Sequence, residues 1–68
     1  MLTGTVSDYD ARERVGIIDA DDGRVLIFHS DGVEPGSKKK LRVGARVEFE
    51  EEPTPVAPRA VGIVTLPH

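Results

Sequence analysis

The segment RVGIIDADDGRVLIFHS, which begins at Arg14, consists of two short apolar runs on either side of an acidic turn. Both runs are rich in Val, Ile, Leu and Phe, and β-branched and aromatic residues are enriched in strands. Residues 21–23, Asp-Asp-Gly, form the turn, where glycine supplies the positive φ that closes a tight hairpin. The segment therefore predicts a β-hairpin with strands over residues 15–20 and 24–29.

Turn and loop signals divide the rest of the chain into similar short segments. No stretch shows ten residues of helical periodicity. Three prolines in EEPTPVAP remove backbone donors, so this segment is predicted as an extended connection rather than a strand. The segment SDGVEPGSKKKLRVG is predicted as a loop because Pro35 and Gly36 interrupt it. The predicted strands cover residues 2–9, 15–20, 24–29, 45–51 and 59–66.

The length of the chain limits it to one small domain. With 68 residues, such a domain buries only about 60% of the surface that its unfolded form exposes. Five short strands in a domain of this size favour a closed or nearly closed barrel, because closure removes exposed sheet edges. Cysteine is absent, so neither disulfides nor thiolate metal sites are expected.

Alternation of side chains along each strand assigns residues to the inside or the outside of the barrel. The outer face of the hairpin is predicted to carry Val15, Ile17 and Ile27, next to His29. The predicted core consists of Val6, Ile18, Leu26, Phe28, Val33, Val47, Phe49, Val61 and Ile63.

The chain carries a net charge of −3, and its charges are unevenly distributed. An acidic domain is a poor default partner for a polyanion, although local distribution matters more than the total. Five basic residues fall within positions 38–46, and four glutamates follow within positions 48–52. The N-terminus has no signal-peptide pattern and no apolar stretch approaches the roughly 20 residues of a membrane span, so a cytoplasmic location is expected.

Five blocks of sequence occur in the order and spacing of a known family. Gly4-Thr5-Val6 is similar to that family's first strand, RVGIID stands at its KGFGFI motif, and LIFH stands at its VFVH motif. KKLRVGARVEF resembles its KSLxxGxxVxF segment, and APRAVGIVTL resembles its closing GPxAxxVTL strand. Over residues 2–66 the chain thus resembles the bacterial cold-shock domain. The resemblance implies an all-β, five-stranded antiparallel OB-fold barrel that spans residues 1–68 as a single domain.

The resemblance also implies that single-stranded RNA or DNA binds through exposed aromatic side chains on the first three strands. Each base that stacks on an aromatic ring contributes about 1–3 kcal/mol, whatever its sequence. Here Val15, Ile17 and Ile27 stand at three of the family's Phe positions. Losing three or four stacking rings removes on the order of 3–10 kcal/mol if the contributions add. Binding is therefore predicted to be weak.

Other positions of the implied interface differ in how much of the family's chemistry they keep. Asp8 stands at the family's Trp and places a negative charge where phosphates would pass. Tyr9 and His29 match a Phe and a His of the family, and both could stack on a base. The alternatives are that Tyr9 caps the barrel with its hydroxyl in water and that His29 is an ordinary surface histidine.

Basic residues border the same predicted face. Arg12 and Arg14 flank the RVGIID block, and the lysine run could contact phosphates as point charges. The alternative for the lysine run is a solvated loop. The predicted nucleic-acid interface comprises Tyr9, Arg12, Arg14, Val15, Ile17, Ile27, His29, Lys38, Lys39 and Lys40.

Catalytic and metal-binding interpretations of the chain fail. The acidic turn is not an EF-hand loop, because position twelve of such a loop needs Glu and here is Ser30. His29, Ser30 and Asp31 cannot converge as a triad, since consecutive strand residues point to opposite faces. Two histidines and no cysteine make a zinc site improbable. No enzyme activity, metal or cofactor is predicted.

The sequence thus leaves two hypotheses for the function. The first is a non-catalytic, cold-shock-like protein that binds single-stranded RNA or DNA weakly, with a role as an RNA chaperone or a regulator of gene expression. The second is that the aliphatic outer face contacts a protein partner or a second copy of the chain, because exposed apolar patches can mark such contacts. The alternative for Val15, Ile17 and Ile27 is that they are ordinary exposed β-branched residues, which are common in strands.

Overall fold

The computed structural model describes residues 1–56 and 58–67. Two positions covered by the sequence predictions, Ala57 in the EEPTPVAP connection and His68 at the end of the predicted domain, lie outside the described residues. The strands are β1 (Leu2–Asp10), β2 (Val15–Ala20), β3 (Val25–His29), β4 (Arg46–Glu52) and β5 (Arg59–Thr65).

The five predicted strands are confirmed, and each of their ends lies within one residue of the prediction. The segment predicted as a loop between β3 and β4 contains two 3₁₀ helices, Ser30–Gly32 and Pro35–Lys40. No helix in the described part of the chain is long and apolar enough to cross a membrane.

The strands form a closed barrel in the order β1-β2-β3-β5-β4. Four neighbouring pairs are antiparallel, and β3 and β5 are parallel. The parallel pair is short, because only Ile27 and Phe28 of β3 pair with Arg59 and Ala60 of β5. The predicted closed barrel is therefore confirmed, and its parallel contact brings the start of β5 next to the hairpin.

The predicted core is confirmed at eight of its nine positions. Val61 is the exception: it is only partly buried, and Ala60 takes its place inside the barrel. The cause is a β-bulge, since β5 uses two residues between Val61 and Val64 where β4 uses one. Gly62 adopts a φ of 61° within this bulge, a conformation that glycine adopts readily. The prediction for Val61 was wrong because the bulge interrupts simple alternation.

A second bulge lies in β1. Val6 pairs with Ile18 but Asp8 pairs with Ile17, so Ser7 is the extra residue. The Ser7 hydroxyl donates a hydrogen bond to the Ile17 carbonyl oxygen at 3.3 Å. Beyond the bulge the alternation of β1 is reversed, and Asp8 points outward while Tyr9 points toward the core.

Arg46 fixes the turn between β2 and β3 to the neighbouring strands. Its guanidinium donates to both carboxylate oxygens of Asp21, at 2.7 Å each, and to the hydroxyl of Thr5 at 2.9 Å. The Thr3 hydroxyl donates to the same carboxylate at 2.6 Å. The hydrogen bonds from Arg46, and then that from Thr3, hold the pKa of Asp21 far below its ordinary value of 3.8.

Arg24, the residue before β3, connects the β2–β3 turn to β4. Its guanidinium donates to Glu51 at 2.6 Å and to Asp22 at 2.9 Å. The backbone N–H of Arg24 also donates to the Asp22 carboxylate, and this bond is the first cause of a lowered Asp22 pKa. These ion pairs join the start of β3 to Glu51 of β4, whose partner Ala60 belongs to the short β3–β5 contact.

Replacing Asp21 by Asn is expected to make the melting temperature less dependent on pH in the acidic range. A carboxylate with a lowered folded pKa stabilises the fold above its unfolded pKa, and this contribution is lost as the pH falls toward the folded value. The melting temperature of the wild type should exceed that of Asp21→Asn at pH 7. The difference should shrink below about pH 4, where the unfolded carboxyl group begins to bind its proton. Circular dichroism melts would measure it, and a difference independent of pH would contradict the assignment.

Candidate nucleic-acid interface

The outer face of β2 and β3 carries a continuous aliphatic patch, formed by Val15, Ile17, Val25 and Ile27. Ile17 pairs with Ile27 across the two strands. Val15, Val25 and Ile27 are 39%, 57% and 50% exposed, respectively. The structure brings Val15, Ile17 and Ile27 together with His29, which pairs with Val15. The predicted placement is therefore confirmed, and the binding role of these residues stays a prediction.

Two carboxylates border the aliphatic patch on the β1 side. Asp8 and Asp10 line the same shallow depression as Val15, Ile17 and Ile27. The Asp10 carboxylate accepts the backbone N–H groups of the following loop, but the Asp8 carboxylate has no hydrogen-bond partner among residues 1–56 and 58–67. An unpaired carboxylate on this face repels phosphate groups that approach it.

His29 lies at the edge of the aliphatic patch, with 34% of its side chain exposed. Its Nδ1 atom accepts a hydrogen bond from the backbone N–H of Asp31 at 3.1 Å. This bond requires an unprotonated Nδ1, so the neutral ring carries its proton on Nε2. The Asp31 carboxylate lies 3.4 Å from the same Nδ1 atom. The neutral ring thus keeps its Nε2–H for donation to a ligand.

Arg59 is a cation at this interface that the sequence patterns did not indicate. The parallel pairing of β3 with β5 places it beside Ile27. It lines a second depression together with His29, Asp31 and Glu52, and its guanidinium lies 3.9 Å from the Glu52 carboxylate. The pairing joins positions 32 residues apart, so no local motif could have revealed this neighbour.

Tyr9 does not lie on the predicted face. It pairs with Gly16 on the core side of the sheet, and its ring stacks on Phe28 with the centroids 5.8 Å apart and an interplanar angle of 9°. The Ser7 bulge is the reason, because it turns Tyr9 inward. The placement of Tyr9 on that face was therefore wrong, and the alternative, a ring that caps the barrel, describes its position. Its role in binding stays a prediction.

The loop between β1 and β2 presents Arg12 and Arg14 at the same end of the hairpin. The Asp10 carboxylate accepts from the Arg12 N–H at 2.9 Å and from the Glu13 N–H at 3.2 Å. Arg14 has a φ of 60°, and its carbonyl oxygen accepts from the Ser30 N–H at 2.8 Å. The loop is thus anchored to both β1 and the end of β3, and its two arginines are exposed.

The lysine run belongs to a different part of the surface. Lys39 and Lys40 line a depression together with Arg42, and this depression shares no lining residue with the one that contains Val15, Ile17 and Ile27. Lys38 lies in the same 3₁₀ helix and is exposed. The structure therefore brings the three lysines together, but it does not make them the rim of the depression over the aliphatic patch.

Within the described ranges, no group of three or more His, Cys, Asp or Glu side chains could hold a metal ion. The interface thus consists of aliphatic side chains, one histidine, nearby arginines and an unpaired carboxylate. Such a set can make van der Waals contacts, donate hydrogen bonds and bind or repel anions.

A closed five-stranded barrel with the strand order β1-β2-β3-β5-β4 is an OB-type barrel. No family model matches the sequence. Cold shock protein 1 of Lactiplantibacillus plantarum is 31% identical over 64 residues, which cover 94% of this chain and 97% of that protein. The major cold shock protein of Streptococcus pyogenes is 30% identical over 66 residues, which cover 97% and 98% of the two chains. The probable cold shock protein A of Mycolicibacterium smegmatis is 31% identical over 67 residues, covering 97% and 100%. The chain belongs to the bacterial cold shock protein family.

Proposed function

We propose that this chain binds single-stranded RNA or DNA weakly and without catalysis, through the outer face of β2 and β3. The observation that carries the proposal is the position of one exposed face. Val15, Ile17, Ile27 and His29 lie together at the positions where the family resemblance expects the residues that contact bases. The near-complete coverage of the cold shock relatives supports the same function.

The chemistry of the face makes the interaction weak and tolerant of sequence. Aliphatic side chains offer a base van der Waals contact but no aromatic ring to stack on. Arg59 and the Nε2–H of His29 supply donors beside the patch, whereas Asp8 opposes a phosphate backbone. A single-stranded nucleic acid that is bound in this way dissociates easily, which suits an RNA chaperone or a transient regulator of gene expression.

A titration with single-stranded heptathymidylate at low salt tests the proposal. Backbone amide signals of β2 and β3 should shift at high micromolar to millimolar ligand. The logarithm of the association constant should fall with the logarithm of the salt concentration with a slope of about −0.7 to −2, as expected for one to three phosphate contacts to a single strand. If no amide of the hairpin moves at millimolar ligand, this face does not bind the strand.

A second candidate function is contact with a protein or with another copy of the chain. The exposed side chains of Val15, Val25 and Ile27 favour it, because they form an apolar patch on a small domain. Sedimentation velocity at increasing protein concentration tests self-association. A strict monomer at millimolar concentration excludes a homodimer through this face.

A further inference from the structure

A basic depression lies where the start of β4 meets the end of β5. Its cationic lining residues are Lys39, Lys40, Arg42 and Arg46, and among residues 1–56 and 58–67 no Asp or Glu side chain lines it. Arg46 is committed to Asp21 by two hydrogen bonds of 2.7 Å. Within the described part of the chain, the side chains of Lys39, Lys40 and Arg42 make no hydrogen bond or ion pair. Three charged groups are therefore available to a ligand here.

The charge of this depression differs from that of the proposed base-binding face. The depression over the aliphatic patch contains Asp8 and Asp10 and no cation. In the depression beside His29, the single arginine faces two carboxylates, Asp31 and Glu52. In a chain with a net charge of −3, the basic depression therefore concentrates the positive potential.

The segment that carries these cations is anchored to the barrel. Ser37 is 6% exposed, and its hydroxyl accepts a hydrogen bond from the backbone N–H of Thr65 at 3.0 Å. Leu41 packs against the core. The N–H of Gly44 donates to the Val6 carbonyl at 2.8 Å, with a φ of 92° that glycine readily adopts. The backbone on both sides of Lys39 and Lys40 is thus fixed, so a ligand that binds here has to order their side chains but not the backbone.

We propose that the basic depression is a phosphate-binding site for the backbone of a single-stranded nucleic acid. It provides the greater part of the electrostatic affinity, while the aliphatic face contacts the bases. Lysines act as point charges toward phosphate, and Arg42 can donate two parallel hydrogen bonds to it. This inference rests on the proposed function, and it separates base contact and phosphate contact onto two parts of the surface.

Two double variants test the site with dodecathymidylate and with inorganic tripolyphosphate, which has no bases. Lys39→Gln/Lys40→Gln removes two charges, and Lys39→Arg/Lys40→Arg keeps them. The Gln variant should bind dodecathymidylate at least about tenfold more weakly at roughly 20 mM salt, and its salt slope should be shallower by about 1.4, the value for two phosphate contacts. The Arg variant should match the wild type in both quantities.

Amide shifts locate the contact independently of the variants. Tripolyphosphate should shift the signals of Gly44, Ala45 and Thr65 and leave those of Val15 and Ile27 in place.

If dodecathymidylate shifts only the hairpin and the Gln variant binds like the wild type, the phosphate site is wrong while the proposed function stands. If tripolyphosphate binds here but dodecathymidylate does not, the nucleic-acid backbone is not the ligand. If dodecathymidylate shifts neither region, the proposed function itself fails.

Discussion

Replacing Val15, Ile17 and Ile27 by Phe is expected to raise the affinity for heptathymidylate by about 10- to 1,000-fold, because each base stacked on a ring contributes about 1–3 kcal/mol and the contributions are not fully additive. Ile17 and Ile27 are direct cross-strand neighbours, so their side chains begin about 5 Å apart and two rings there would form one platform. Val15 and Ile27 are 39% and 50% exposed, which leaves room for rings. Isothermal titration calorimetry at fixed salt measures the gain.

Two controls separate stacking from added apolar area. The Val15→Leu/Ile17→Leu/Ile27→Leu variant keeps the face apolar without any ring, and its affinity should change by less than about threefold. Val56→Phe adds a ring at a 95% exposed position that lines none of the three depressions described above, and it should leave the affinity unchanged. Equal gains for the Leu and Phe triple variants would show that area, not stacking, limits binding. No gain for the Phe variant would mean that the face does not meet the bases.

The hairpin could be predicted because its information is local. Its two strands alternate without a bulge, and its turn has glycine at a position with a φ of 94°. The inward positions Ile18, Leu26 and Phe28 and the outward positions Val15 and Ile27 follow from a period of two along the chain. The resemblance to the cold-shock domain extended this local pattern to the whole barrel.

The positions that were predicted wrongly, or not predicted at all, depend on partners far away in the sequence. The inward position of Tyr9 and the partial exposure of Val61 both result from β-bulges. A bulge can be recognised only when the register of the partner strand is known. Arg59 reaches the interface through a parallel pairing across a long connection. The separation of Lys39 and Lys40 from the aliphatic patch depends on the anchoring of their 3₁₀ helix to β5. None of these relationships leaves a periodic signal in the sequence.

The structure also shows where the few aromatic rings of this chain are used. The sequence has one Tyr, two Phe and no Trp. Phe28 and Phe49 are fully buried, and Tyr9 packs on the core by stacking against Phe28. All three rings therefore stabilise the inside of the barrel, and the outer face of the hairpin is left aliphatic. Because the three rings pack inside the barrel, none is left to stack on bases at the outer face, which is consistent with the proposed weak binding.

Gly16→Ala is expected to destabilise the protein by about 2–4 kcal/mol, because overpacking a core residue against groups that cannot move is strongly unfavourable. A Cβ atom at this position would lie 2.5 Å from Cζ of Phe28 and 2.6 Å from the Asp8 carbonyl oxygen. The Phe28 ring is fully buried under Tyr9, and Asp8 is held in the β1–β2 pairing. A domain of this size has a free energy of unfolding of only about 3–10 kcal/mol.

Gly36→Ala is the matched control, because no heavy atom lies within 4 Å of the added Cβ. Its free energy of unfolding should change by less than about 1 kcal/mol, since the main effect is a reduced entropy of the unfolded chain. Urea denaturation followed by circular dichroism measures both variants. Adding Phe28→Leu to Gly16→Ala should recover part of the loss, because the smaller side chain relieves the clash with Cζ. A Gly16→Ala protein as stable as the wild type would show that the Phe28 ring does not lie under this position.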